Sequence, residues 1–83
     1  MHHVKTENTT YLSELNVGQS AKIQSFTDEV MSLKLLEMGC VPGETVRIER
    51  IAPMGDPIAV EVAGYLLSMR KEEAATIVVL KVD

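Results

Sequence analysis

Turn signals built from glycine, proline, asparagine and aspartate punctuate this chain roughly every eight to twelve residues, and most segments between them alternate apolar and polar side chains with a period of two. That spacing confines the chain to short antiparallel strands. Ala21, Ile23 and Ser25 alternate with Lys22, Gln24 and Phe26 as a first strand. A second runs over 45–52, where Val46 and Ile48 oppose Arg47 and Glu49; Ile51 is out of phase, which predicts a bulge or bend near Arg50. Ile58, Val60 and Val62 form a third, turned by Ala63 and Gly64 into a fourth over 65–69, so that these two should pair as a hairpin. Residues 77–82 close the set at about five strands.

Only one segment reads as a full helix. Over 28–38, Thr27 or Asp28 can cap the start, Asp28 and Glu29 suit the positive end of the helix dipole, and Gly39 stands where a stop is needed. At 100° per residue Met31, Leu35 and Met38 fall together, while Leu33 and Leu36 make a second apolar sector. A small domain can bury both sectors, or leave one to meet a partner protein. Single helical turns are expected near 13–16, with Ser13 as cap and Gly18 as end, and near 71–75. Residues 1–10 lack periodicity and read as a flexible lead-in to one domain over 11–83. The whole is a mostly β, small, partly open barrel of the SH3-like or OB-like kind with one inserted helix.

Composition narrows the functions open to such a fold. Eighty-three residues at 46% apolar support one modest core. Cys40 is the only cysteine, so neither an internal disulfide nor a thiolate-bound structural zinc is available. No apolar run approaches the roughly 20 residues of a bilayer span, and MHHVKTENTT has no signal-peptide character, so the cytoplasm is expected, without membrane insertion. A net charge of −4, with Phe26, Tyr11 and Tyr65 as the whole aromatic supply, argues against nucleic acid.

Catalytic chemistry finds little to work with. Both histidines, His2 and His3, lie in the lead-in, either as a cloning remnant or as a weak metal-binding end without a third ligand. Cys40 follows a helix stop and precedes Val41, which suits packing better than reactivity. The pairs Asp28–Glu29 and Glu72–Glu73 read as solvated dipole-end charges, and five glycines spread over five turns make no phosphate loop. No enzyme and no tightly bound cofactor is expected, weak binding of a divalent metal being the most the chain offers. What remains is protein binding, through the spare helical sector (Leu33, Leu36), the proline-bounded loop (Met54, Asp56), or an edge strand ending near Lys81.

Three stretches in order, LSELNVGQSAKI, LKLLEMGCVPGETVRI and APMGDPIAVEVAGYLLSMRKEEAATIVV, resemble the FeoA family, the small cytosolic component of bacterial ferrous iron transport. The most specific parts are LLEMG with the following PG, the PMGDP loop, the GY turn and the RKEEA turn. Cys40 departs from the family, which usually carries an aliphatic residue there. The resemblance implies an SH3-like barrel with an inserted helix whose interior holds Ile23, Val46, Ile48, Val60, Val62, Leu67, Ile77 and Val79. It also implies a non-enzymatic role beside FeoB, the membrane Fe(II) permease linked to a GTPase. The domain is similar as well to the C-terminal SH3-like module of iron-dependent repressors. Two rival functions stand beside this one: a direct Fe(II) sensor using His2, His3 and surface carboxylates, and an interaction module that self-associates into a homo-oligomer through open strand edges and Met54.

Overall fold

The computed structural model describes residues 9–82. Six antiparallel strands form one open sheet: β1 (Thr10–Tyr11), β2 (Ser20–Phe26), β3 (Thr45–Ile51), β4 (Ile58–Val62), β5 (Tyr65–Met69) and β6 (Ile77–Lys81), in the order β1-β6-β2-β3-β4-β5. Helix α1 (Glu29–Glu37) lies between β2 and β3, and the single-turn α2 (Lys71–Ala74) between β5 and β6.

The expected mostly β architecture is present, with one strand more than expected. The addition is β1, where Thr10 pairs with Val79 and Tyr11 with Val78. Thr10 therefore belongs to the sheet and not to a lead-in; two residues are too few for any periodicity to register, so only the long-range pairing reveals the strand. The first helical turn is also shifted. It is a 3₁₀ turn over Leu12–Glu14, and its organiser is Glu14, whose carboxylate accepts the Tyr11 N–H at 3.0 Å; Ser13 does not cap it.

The bulge expected near Arg50 is there, the register of β3 against β4 slipping between Ile48 and Arg50. A second slip, between Ile23 and Ser25 in β2 against β6, gave no comparable warning. These irregularities bend the sheet around its apolar face, which buries Ile23, Val46, Ile48, Val60, Val62, Ile77 and Val79. Leu67 packs against the same core half-buried. Leu12, Leu15 and Met69 close it off.

Helix α1 begins and ends close to the expected bounds. Asp28 caps it, its carboxylate accepting the Met31 N–H at 2.9 Å. At the other end Gly39 takes φ +103°, and two hydrogen bonds close a Schellman motif: the Gly39 N–H donates to Leu36 O at 3.0 Å and the Cys40 N–H to Leu35 O at 2.9 Å. The motif brings the residue after the glycine back toward the last turn, and both Leu35 and Cys40 are fully buried.

Candidate functional site

The caps of α1 fix its rotation, and with Leu35 inward and Met31 and Met38 half-buried, the second apolar sector has nowhere to go but outward. Leu33 is 66% exposed and Leu36 39%. The sector is thus not core. Val30, 82% exposed, extends it, so that Val30, Leu33 and Leu36 recur every third residue as one stripe along the helix. Val30 escaped the sequence reading although its three-residue spacing to Leu33 was a usable signal. A shallow depression of about 290 Å³ borders Glu29, Val30, Ser32 and Leu33.

The proline-bounded loop divides its residues between two tasks. Met54 stands 92% exposed at the tip. Asp56 instead turns inward on the chain: its carboxylate accepts the Lys71 N–H at 2.9 Å, at the first residue of α2, and lies 3.8 Å from the Arg70 guanidinium. Asp56 thereby ties the loop to α2.

Glu73 is the buried charge of the described residues, only 5% exposed, and it corrects the expectation that the Glu72–Glu73 pair is solvated. Its carboxylate meets the Lys34 ammonium of α1 and accepts the Arg70 N–H at 2.8 Å. The hydrogen bond from Lys34, followed by that from the Arg70 backbone, holds the carboxyl below its ordinary range despite its burial. Lys34, Met38, Pro57, Met69, Arg70 and Glu73 line one hollow of about 340 Å³, so α1, α2 and the loop meet there. Leu33 and Leu36 do not line it.

Lys81 is exposed at the end of β6, but β6 is not an edge strand, because β1 and β2 flank it. A count of five strands leaves β6 at the edge; the pairing of β1 along it makes it interior. Among the described residues the edges of the sheet are β1 and β5.

For chemistry the arrangement supplies little. His2 and His3 lie outside the described residues. Among the described residues no three His, Cys, Asp or Glu side chains cluster as a metal site, and no helix is long and apolar enough to cross a membrane. The Cys40 thiol is pushed up by burial first and by the Glu73 charge second, which suppresses the nucleophilic thiolate. What the surface does present is apolar area on a rigid helix, the kind of feature that binds proteins.

A family model described as the FeoA domain matches residues 10–81. A fusion protein of Porphyromonas gingivalis, joining Fe(2+) transport protein A to the Fe(2+) transporter FeoB, is 39% identical over 67 residues, which is 80% of this chain. The chain spans only 8% of that relative's length. The solution structure of a FeoA-like protein from Clostridium acetobutylicum superposes with a TM-score of 0.87 at 37% identity, covering 94% of this chain and 92% of that one. A zinc-complexed FeoA from Stenotrophomonas maltophilia, described as a prokaryotic SH3 domain protein, gives 0.74 at 35% identity over 84% of this chain and 88% of its own. The SH3-like sheet, its inserted helix and a family match running from β1 to the end of β6 agree: the chain belongs to the FeoA family of ferrous iron transport.

Proposed function

We propose that this protein is a non-enzymatic accessory factor of ferrous iron uptake, which docks in the cytoplasm on the cytosolic domain of a FeoB-type Fe(II) transporter and regulates it. The observation that carries the reading is the Porphyromonas gingivalis relative, whose single chain contains both a segment similar to this one and FeoB. Fusion keeps two domains at a high effective concentration, which is useful where their contact matters. The residues assigned to the contact are Leu33 and Leu36 of the stripe, extended by Val30, together with Met54 at the exposed tip of the proline-bounded loop and Lys81 at the end of β6. Asp56 acts indirectly, by holding that loop against α2. Regulation by docking needs no tightly bound cofactor, and Fe(II) or another divalent metal is at most a weak ligand of His2 and His3.

Retention of the transporter's purified cytosolic domain on the immobilised chain, with and without guanine nucleotide, tests this. The wild type is expected to retain it, and the double variant Leu33→Ala/Leu36→Ala to weaken retention by about tenfold or more, since two half-lost leucine contacts are worth roughly 1.5–3 kcal/mol. No retention under any nucleotide condition would sink the proposal. Retention unaffected in a folded double variant would move the contact off α1.

A further inference from the structure

The two edges of the sheet are not equally protected. β1 is only two residues long, too short to template another strand. β5 is five residues long, Tyr65–Met69, pairs with β4 in an unbroken register, and contains no charge, no proline and no bulge. Both bulges lie in interior strands, β2 and β3. Natural sheets usually blunt a long edge by one of those devices.

The hydrogen-bonding phase of that edge follows from its turn. Ala63 and Gly64 sit at φ 52° and 85°, the left-handed pair of a type I′ hairpin, so the flanking Val62 and Tyr65 exchange both backbone hydrogen bonds. Leu67 and Met69 follow in phase, facing Val60 and Ile58. Leu66 and Ser68 therefore turn their N–H and C=O groups away from β4, and no other segment of the described residues pairs with them. Two donors and two acceptors are left, disposed symmetrically about Leu67.

We propose that β5 pairs with β5 of a second copy of this chain, antiparallel, about a two-fold axis at Leu67. In that register Leu66 meets Ser68 of the second copy and Ser68 meets its Leu66, each pair exchanging two hydrogen bonds, which satisfies all four groups on both edges. Leu67 faces its own equivalent across the axis, as a non-hydrogen-bonded pair with close side chains. Tyr65, 72% exposed, and Leu66, 64% exposed, gain apolar neighbours. The net charge of −4 on each copy does not forbid the contact, because the charges beside the edge are mixed in sign, with Glu61 opposite Leu66 and Arg50 sharing a hollow with Leu66 and Ser68. The free groups are two-fold symmetric about Leu67 and the edge carries no charge to repel its own copy, so a second copy presents the matching set in register. The result is one continuous sheet across two subunits, independent of any transporter.

A five-residue edge covers less than the ~800 Å² per partner of a standard interface, so the dimer is expected to dissociate on the order of 100 µM. Sedimentation equilibrium over a series from about 10 µM to 1 mM should show the mean mass rise from 9.1 kDa toward twice that value. Ser68→Pro removes one outward N–H at a position where an edge strand tolerates proline, and Leu66→Lys places a charge on the pairing edge. Both should keep the wild-type circular dichroism spectrum and weaken association at least tenfold; should the proline variant unfold, the lysine variant carries the test. In the wild type, amide exchange at Leu66 and Ser68 should slow with concentration. A mass fixed at 9.1 kDa to the top of the series, association unchanged in the folded variants, or concentration-dependent protection at Val30, Leu33 and Leu36 instead would each overturn the proposal.

Discussion

At Glu73 the chain holds a carboxylate under cover while the lysine that pairs with it stays largely in water. The arrangement is stable because the carboxylate also accepts a backbone N–H, so its burial leaves no bare charge. Its pKa is lower folded than unfolded, so its contribution is complete above the usual carboxylate value of 4.5 and is lost as pH falls through the lowered folded value. Thermal melts of Glu73→Gln should accordingly show a flatter acid limb than the wild type, with a loss near neutrality of about 1 kcal/mol from the broken ion pair, since the glutamine oxygen still accepts the Arg70 N–H. Gly39 is as constrained: its φ of +103° closes the Schellman motif, and Gly39→Ala should cost about 1–2 kcal/mol in a urea titration. The motif also explains Cys40. The position after the glycine carries the apolar contact back to Leu35, and a small buried thiol fills it. That much was legible in sequence, since a glycine stop followed by an apolar residue is a local signal. The burial of Glu73 was not, because its partner Lys34 is on another helix, and nothing in RKEEA distinguishes one glutamate from the next.

Helix α1 shows how an element divides its side chains between fold and surface. Leu35 is fully buried, and Leu35→Ala should cost about 2–5 kcal/mol. Leu33→Ala, on the exposed stripe, should stay within about 0.5 kcal/mol of the wild type, and denaturant midpoints of the two variants side by side check the division. The helical wheel separated the two sectors correctly but could not say which would be covered, because the second layer that would cover it had to come from elsewhere in the chain. The four-residue α2 depends on neighbours even more, being too short to be stable alone. Its first N–H is satisfied by Asp56 and the preceding one by Glu73. Asp56→Ala should therefore loosen α2, costing about 1 kcal/mol and speeding hydrogen exchange at the Lys71 amide, with β6 little affected.

At the scale of the whole molecule the sheet is held together by pairings between distant parts of the chain. Ile23 faces Val79 and Phe26 faces Ile77, joining β2 to β6, while β2 also pairs with β3. Such topology puts loop closure ahead of the contacts that reward it, so refolding by stopped-flow should be slow, on the millisecond-to-second scale usual for SH3-like barrels. Val79→Ala, in the buried seam between β1, β2 and β6, should lower stability more than Leu80→Ala on the same strand, whose side chain is exposed.

The strands β2 to β6, the bulge at β3, the hairpin turn at Ala63–Gly64 and both ends of α1 were determined by the amino-acid sequence itself, because each depends on side-chain alternation, φ preferences or capping groups within a few residues. Tertiary structure alone decided that Thr10–Tyr11 becomes a strand, that β6 is interior and β5 an edge, that Glu73 is buried against Lys34, and that the Val30–Leu33–Leu36 stripe is left uncovered. Each of these depends on which distant segment arrives alongside, and local periodicity carries no record of that.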